Sequence, residues 1–596
     1  MSDDDSRRRA PYLRAFPVLA IVGMAAVCAH GLSRESLWKS AEPRVMDIAR
    51  DQYAHGMLRS LTFAGMPFLE EPPFFFDLTA AAFHVGGGPS ILAARLVVAL
   101  FAALWVAAIV LVVRRAAGTH AGLLAGAALV ASQSFTMLVR RLGVDIALVA
   151  TLSLSMALLW RAIADDDERI DRSSWWRASL VAAGFAALTK GLFGTFLFVV
   201  PTIAYAALCR DWRVLRALFR PMSLALLVLP HALWALVLYD SGGATFVFEH
   251  FVNNTIGRVL HHRFDVAGTG ALPYGDVGPK YPWYYCLTTI PQGALPAMIA
   301  VPFAVAAQRA RGGLRARDPE SRLSNLALVW GCVPPIILSF STYKGRDHLG
   351  ASCAALIVVG ALWLARRLPS VEKSAAPRWA LAGVMSLFAT AAALVVAAFF
   401  GVPATRGGVH VVLGVIGTVA ALGIVASLWS RRTTLAVWFL LSALCAAIVA
   451  DFSPGANVKD EKRNSMDAVA LWVAHEARDV PVGVYWPISY AGPDEIGAAD
   501  EQAVGSLSYW IGRPVVALQT PDQVRGFLRR AEPAFFVVRR AQDEPPQSWP
   551  ATEPSVGWTA TGRNDDADFT LVANRAAAAV RAGPAQTPPD VAPADR

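Results

Sequence analysis

Long apolar runs, separated by short polar stretches, dominate the chain up to about residue 450. Runs of about 18 residues or more are typical of helices that cross a hydrocarbon layer of roughly 30 Å. The pattern predicts about thirteen such helices. They lie near residues 15–32, 90–113, 119–138, 145–163, 178–190, 192–209, 222–240, 283–308, 323–341, 348–365, 380–402, 408–430 and 433–450. The two runs that meet at Lys190–Gly191 are short for a span.

Basic residues between the runs predict the orientation, because arginine and lysine prefer the cytoplasmic side of a membrane. If residues 1–14 are cytoplasmic, alternation places most arginine-rich segments on the same side: 114–115, 169–177, 210–220, 309–322, 366–367 and 431–432. The net charge of +9 therefore follows from topology and indicates no nucleic-acid partner. Arg140–Arg141 and the segment YKGRDH fall outside and need another explanation.

Three longer segments fall on the outside: 33–89, 241–282 and everything after about residue 451. The first is predicted to form amphipathic helices that end at a glycine breaker. The last reads as helix then strand in MDAVALWVAHEARDVPVGVYW and again in DQVRGFLRRAEPAFFVVRR, with DFTLVANR as a further strand. We therefore expect a helical polytopic domain over 15–452, a soluble α/β domain over 453–575 and a disordered tail over 576–596.

Ionisable residues from at least six separate stretches share the outside face. They are Glu42, Arg44, Asp47, Arg50, Glu70, Glu71, Asp77, Arg140, Arg141, Asp145, Lys190, Glu249, Arg258, Lys280, Lys344, Arg346 and His348. Charges beside a membrane usually pair or line a polar cavity. Arginine and lysine bind phosphate, and carboxylates supply acid–base or electrostatic assistance. The purely structural alternatives are a helix-terminal charge for Glu42, an N-cap for Asp145 and, for Lys190, a side chain that extends along apolar surface to the membrane interface.

Several short motifs occur in a recognisable order: LWKSAEPRVMDIARDQ, FLEEPPFFFDLTAAAFHVGG, GVDIALVATLSL, LTKGLFG, KYPWYYCLTTIPQGALP, FSTYKGRDHLGA and SYWIGRPV. This order resembles the GT-C polyprenyl-phosphate-dependent glycosyltransferases, more narrowly the lipid A aminoarabinose transferase and protein O-mannosyltransferase-like group. The same resemblance implies that SYWIGRPV is a strand, since it is similar to a Tyr-x-Gly-Arg-Pro strand of that group. The resemblance implies a multi-pass enzyme of the bacterial inner membrane with a periplasmic C-terminal domain. It would transfer a sugar from a polyprenyl-phosphate carrier to a lipid A, glycan or protein acceptor at the outer face, in envelope glycosylation.

Roles carried over by position follow from the same resemblance. Glu42, Glu70 and Asp145 would be catalytic, and whether they also hold a divalent metal stays open. Trp283, Tyr284 and Tyr285 would form a platform for the carrier or sugar, with an aromatic belt as the alternative. The phosphate-binding cations would be Arg44, Lys190, Arg258, Lys280, Lys344 and Arg346.

Two positions depart from the pattern of that group. The acid that usually precedes Glu42 is Ala41, and the lysine of its Glu-Lys-Pro element is Glu71. Ala41 leaves a catalytically silent relative as one alternative. The other is a transporter or flippase for a polyprenyl-linked sugar, although transporters place charges near the midplane and often show repeated halves.

Overall fold

The structure is a computed structural model that describes residues 41–164, 169–260, 262, 264, 281–341 and 344–371. It further describes residues 422–427, 436–438, 440–441, 473–474, 479–485, 501–518, 520–541, 556–564, 567–574 and 577. The predicted spans at 15–32 and 380–402, most of those at 408–430 and 433–450, Lys280, and nearly all of the predicted tail lie outside the described residues.

Two helices and a small hairpin precede the first described span. Helix α1 (Ala41–His55) leads into antiparallel strands β1 (Leu61–Phe63) and β2 (Met66–Phe68), and then into α2 (Phe74–Gly86). α2 ends at Gly87, whose φ of 79° is the left-handed conformation that glycine adopts at helix ends. The glycine stop predicted from the sequence is confirmed, whereas the hairpin was not predicted.

The remaining helices of the bundle follow in chain order: α3 (Ile91–Ala117), α4 (Thr119–Val130), α5 (Gln133–Val139), α6 (Asp145–Ala164), α7 (Ser174–Leu208), α8 (Trp212–Leu218), α9 (Pro221–Phe248), α10 (Arg258–Leu260), α11 (Tyr285–Gly293), α12 (Val301–Ala310), α13 (Pro319–Leu338) and α14 (Gly350–Val371). A π-helical segment, Glu249–Gly257, joins α9 to α10. Short 3-10 turns lie at Ile170–Arg172, Ala297–Ala300, Gly313–Arg315 and Asp347–Leu349.

Within the described residues, six helices are long and apolar enough to cross a membrane, and two bent pairs raise the number to eight. The pairs are α4 with α5, bent by 62°, and α11 with α12, bent by 105°. The total of about thirteen spans stays a prediction, because several of the apolar runs lie outside the described residues.

Helix α7 turns back on itself. Its backbone leaves the helical conformation at Lys190 (φ −139°, ψ 31°) and Gly191 (φ 58°, ψ −145°). In a straight helix Ala186 and Gly194 would lie about 12 Å apart, yet a Cβ built on Gly194 would lie 2.2 Å from the carbonyl oxygen of Ala186. The predicted break at Lys190–Gly191 is confirmed, and it places Lys190 at the tip of a helical hairpin.

The opposite end of the bundle is rich in arginine. Arg317 Nη2 donates to the carbonyl of Cys209 at 3.0 Å, and Arg322 Nη1 donates to the carbonyl of Ile163 at 2.5 Å. Arg317 and Arg322 belong to one of the segments that alternation assigned to one side, and Cys209 and Ile163 end the predicted spans that lead into two others. We call this the arginine-rich end, and the end that holds Lys190 the site end.

A five-stranded mixed sheet lies in the C-terminal part. Its elements are β3 (Val482–Tyr485), α15 (Glu501–Ile511), β4 (Val516–Leu518), α16 (Pro521–Leu528), β5 (Phe535–Ala541), β6 (Val556–Asn564) and β7 (Ala567–Ala573). The strand order is β4-β3-β5-β7-β6, with β3 parallel to both of its neighbours. The predicted helix-then-strand order is observed in α16 and β5, while the domain limits 453–575 stay a prediction.

The strand predicted at SYWIGRPV is wrong over its first half, which belongs to α15. Val504, Leu507 and Ile511 are buried at helical spacing, and this burial favours a helix over an alternating strand. α15 packs on α1, since a Cβ on Gly505 would lie 3.1 Å from the backbone nitrogen of Arg44. Arg50 Nη1 donates to the carbonyl of Tyr509 at 3.0 Å across the same contact.

Candidate functional site

Six ionisable side chains from five stretches meet at the site end. We call them the charge cluster: Arg44, Glu70, Glu71, Asp145, Lys190 and Arg258. The sequence had placed all of them on one face, and the structure brings them into contact. Five of the six were predicted to be site residues; Glu71 had been placed on the same face and noted as a departure from the family pattern, without a role in the site.

Glu70 is held between two arginines. Arg258 Nη2 lies 2.6 Å from Glu70 Oε1, and Arg44 Nη1 lies 3.8 Å from Glu70 Oε2. Burial alone would raise the pKa of the Glu70 carboxyl, but the guanidiniums of Arg258 and Arg44 outweigh it and hold that pKa below its usual value. Glu70 is therefore a fixed negative charge.

Asp145 and Glu71 share the ammonium group of Lys190. Asp145 begins α6, and its Oδ1 accepts a hydrogen bond from Lys190 Nζ at the tip of the α7 hairpin. Lys190 Nζ also lies 3.9 Å from Glu71 Oε1. Asp145 is the most exposed of the three carboxylates in the cluster, with 21% of its side chain accessible against 7% for Glu71 and 10% for Glu70.

The backbone before Glu70 is fixed by the π-helical segment. His250 Nδ1 lies 2.7 Å from the carbonyl oxygen of Leu69, and Asn254 Nδ2 donates to the same oxygen at 3.1 Å. Arg258 follows one turn later, so one segment holds both Leu69 and Glu70. Such irregular helices are common at functional sites. Neither His250 nor Asn254 was predicted from the sequence to be a site residue.

Glu42 lies beside the charge cluster but faces another partner. It is 1% exposed, its Oε1 accepts from the backbone N–H of Leu142 at 2.9 Å, and Arg95 Nη2 lies 3.7 Å away. Glu42 thereby ties α1 to the segment before α6. Arg95 was not predicted as a partner, although an arginine inside the apolar run of α3 is itself a signal of pairing.

The three carboxylates considered for a metal do not share one centre. Glu42 faces Arg95, Glu70 faces Arg258, and Asp145 bonds Lys190. Among the residues that the structure describes, no three His, Cys, Asp or Glu side chains are grouped as metal ligands would be. The sequence-based ligand set Glu42, Glu70 and Asp145 is therefore not formed in this geometry.

The loop before α14 holds the other predicted cations. Lys344 is 1% exposed and donates to the carbonyls of Ser339 at 3.0 Å and Ser341 at 2.6 Å, so it stabilises the loop itself. Arg346 is exposed and lies 3.8 Å from Met137 Sδ. The neighbouring Asp347 accepts a hydrogen bond from Arg141, and this ion pair explains why both basic exceptions lie at the site end.

The predicted aromatic platform begins α11. Trp283 is 67% exposed and Tyr284 50% exposed, and the rings of Tyr281 and Tyr285 lie with centroids 4.4 Å apart and planes tilted by 34°. Exposed aromatic groups at the end of a span suit either an interfacial belt or a carrier contact.

Comparison with known proteins agrees with this architecture. Residues 70–234 match the model of the dolichyl-phosphate-mannose-protein mannosyltransferase family. Among solved structures, the chain is similar to ArnT from Cupriavidus metallidurans in the apo state, at 20% identity and a TM-score of 0.71, over 95% of this chain and 99% of that one. The undecaprenyl phosphate-bound structure of the same protein gives 19% identity and a TM-score of 0.70, over 94% and 98% of the two chains.

A weaker likeness connects the chain to an oligosaccharyltransferase from Archaeoglobus fulgidus, at 12% identity and a TM-score of 0.47, over 86% of this chain and 65% of that one. No curated protein sequence matches the chain. The family pattern and the ArnT-like fold confirm the resemblance to the GT-C polyprenyl-phosphate glycosyltransferases that the motifs had suggested.

Proposed function

We propose that this multi-pass membrane chain, with its ArnT-like GT-C fold, is a glycosyltransferase. It transfers a sugar from a polyprenyl-phosphate carrier to a lipid, glycan or protein acceptor at the outer face of a bacterial inner membrane. The observation that carries the proposal is the charge cluster, in which Arg44, Lys190 and Arg258 converge from three separate helices. The related ArnT structure with undecaprenyl phosphate supports the carrier class.

The chemistry requires stabilisation of a leaving phosphate. An acceptor oxygen attacks the anomeric carbon of the sugar, the bond from that carbon to the phosphate oxygen breaks, and its electron pair leaves with the carrier phosphate. Arg44, Lys190 and Arg258 stabilise the charge that develops on this phosphate. No general acid is then needed at the leaving group.

The acceptor proton needs a carboxylate. Asp145 suits this role because it is the most exposed carboxylate of the cluster and its Lys190 partner sits beside the phosphate position. Glu70 is held between Arg44 and Arg258 and is less exposed than Asp145, so it orients these two cations instead. Glu42 supports α1, the helix that carries Arg44, and the Ala41 position then needs no acid.

The proposal is tested with purified protein in lipid nanodiscs and a panel of undecaprenyl-phosphate-linked sugars, with release of undecaprenyl phosphate as the readout. Mass spectrometry of envelope glycoconjugates with and without the protein identifies the sugar and acceptor. We expect Asp145→Asn to lower transfer by about 100-fold or more, and Glu320→Gln at the arginine-rich end to leave it unchanged. Carrier translocation without sugar transfer would contradict the proposal and favour a transporter.

A further inference from the structure

Glu71 occupies a position between two cations that the proposed function assigns to phosphate. Its Oε2 lies 3.9 Å from Arg44 Nη2, and its Oε1 lies 3.9 Å from Lys190 Nζ. The side chain is only 7% exposed. Two oxygens that span an arginine and a lysine resemble two oxygens of a phosphate group in charge and spacing.

The contacts of Glu71 are weaker than those of its neighbours. Glu70 has a hydrogen-bonding distance of 2.6 Å to Arg258, and Asp145 is hydrogen-bonded to Lys190. Glu71 Oε2 is buried with no hydrogen-bond partner among the described residues. Buried acceptors without partners are costly, so this carboxylate is not placed for stability.

The pKa values of the two adjacent glutamates, Glu70 and Glu71, are shifted in opposite directions. Burial raises the pKa of the Glu71 carboxyl despite the opposing pull of Arg44 and Lys190, and the nearby charges of Asp145 and Glu70 raise it further. The pKa of Glu70 is lowered. The ionised form of Glu71 is therefore less well compensated by its neighbours than that of Glu70.

We propose that Glu71 is a built-in competitor of the substrate phosphate, which weakens anion binding at Arg44 and Lys190 and does so most for the product. This inference rests on the proposed function. A sugar-loaded carrier is a phosphodiester with one negative charge. The released carrier is a monoester with a charge of about −1.5 to −2 at pH 7. Repulsion scales with charge, so Glu71 opposes the product more than the donor and favours product release.

The test uses two probes that need no knowledge of the sugar: undecaprenyl phosphate, and its methyl ester, which carries one charge as the donor does. Binding of each probe is measured by microscale thermophoresis in nanodiscs. We expect Glu71→Gln to bind the monoester about tenfold more tightly than wild type, and the methyl ester about threefold more tightly. Glu320→Gln, a matched exchange beside Arg366 at the arginine-rich end, should change neither affinity.

Each outcome decides a specific point. If Glu71→Gln binds the monoester no better than wild type, the competitor role is overturned while the proposed function stands. If both probes gain equally, preferential repulsion of the product is overturned. If wild type binds neither probe, the proposed function itself fails. Thermal unfolding of Glu71→Gln, and binding by Glu71→Ala as a second variant, verify that the result reflects charge and not misfolding.

Discussion

Asp77, in the first turn of α2, couples the stability of the folded chain to pH. Its Oδ2 accepts from the backbone N–H of Leu58 at 3.2 Å, and its Oδ1 is buried without a hydrogen bond among the described residues. Burial raises the pKa of this carboxyl from 3.8 to about 6. The folded state thus holds the proton more tightly than the unfolded chain. The contribution of Asp77 to the free energy of unfolding is greatest below pH 4 and falls as pH rises through 6, by up to about 3 kcal/mol at pH 7.

Replacing Asp77 with asparagine should remove this dependence, because the amide oxygen retains the bond from Leu58 and carries no charge. Other buried acids, such as Asp47, titrate in both proteins, so the difference between them isolates Asp77. We expect thermal unfolding in detergent to show a smaller loss of midpoint between pH 4.5 and 7.5 for Asp77→Asn. Parallel pH profiles for the two proteins would contradict the assignment.

Residue-level predictions from the sequence identified which charges matter but not which of them pair. Glu42 was expected at the reacting centre, yet it faces Arg95 and the backbone of Leu142. Glu71 was placed on the outside face without a role in the site, yet it contacts two cations. Pairing depends on side-chain direction across contacts far apart in sequence, and hydropathy carries no information about that.

At the scale of elements, the hairpin in α7 depends on one glycine. Gly191 has φ 58° and ψ −145°, a region that residues with a Cβ rarely enter, and an added Cβ would lie 3.3 Å from His250 Nε2. We expect Gly191→Ala to lower the free energy of unfolding by about 2 kcal/mol. Because Lys190 precedes this turn, binding of undecaprenyl phosphate should weaken as well.

A matched control exists at Gly526, on the exposed face of α16. Its added Cβ would meet no atom within 4 Å, and its backbone is helical. Gly526→Ala should therefore stabilise the protein by about 0.5–1 kcal/mol and leave carrier binding unchanged. Equal effects of the two exchanges in thermal unfolding would show that the turn at Gly191 tolerates a side chain.

The ends of the observed helices agree with the hydropathy pattern where the apolar runs of the sequence are long. The break at Lys190–Gly191 was visible because each half was too short to span alone. α15 was mistaken for a strand because only SYWIGRPV, its C-terminal part and the residues after it, was considered. Its helical face is completed by Val504 and by packing on α1, where Gly505 allows close approach. The β1–β2 hairpin is three residues a side, which is too short for periodicity to reveal.

At the scale of the whole molecule, the bundle separates a stabilising end from a functional end. Alternation and the arginine distribution predicted which loops share an end, and the contacts of Arg317 and Arg322 agree. The alternation of spans assigns each loop to a side of the membrane but does not say which loops are in contact. Only the three-dimensional structure therefore shows that the charge cluster forms around Glu70 and Lys190. Each arm of the α7 hairpin is about 17 residues long, which separates the two ends by roughly 25 Å.

This separation predicts additive effects of changes at the two ends. The side chain of Asp211 is 2% exposed and accepts hydrogen bonds from Arg213 Nε at 2.9 Å and from Arg213 Nη2 at 3.0 Å. Asp211→Asn should therefore lower the free energy of unfolding by about 2–3 kcal/mol without altering the affinity for the carrier. Lys190→Met should weaken binding of undecaprenyl phosphate by about tenfold or more.

The double variant should show both losses, each within about 0.5 kcal/mol of the single-variant value, because distant sites with no shared partner act independently. Thermal unfolding and carrier binding are measured on wild type, the two single variants and the double variant, which together form a double-mutant cycle. A coupling clearly above 1 kcal/mol would mean that the hairpin transmits strain from the arginine-rich end to Lys190. The charge cluster would then be tuned by the far side of the membrane, and its affinity for phosphate would depend on how Asp211 holds the ends of α7 and α8.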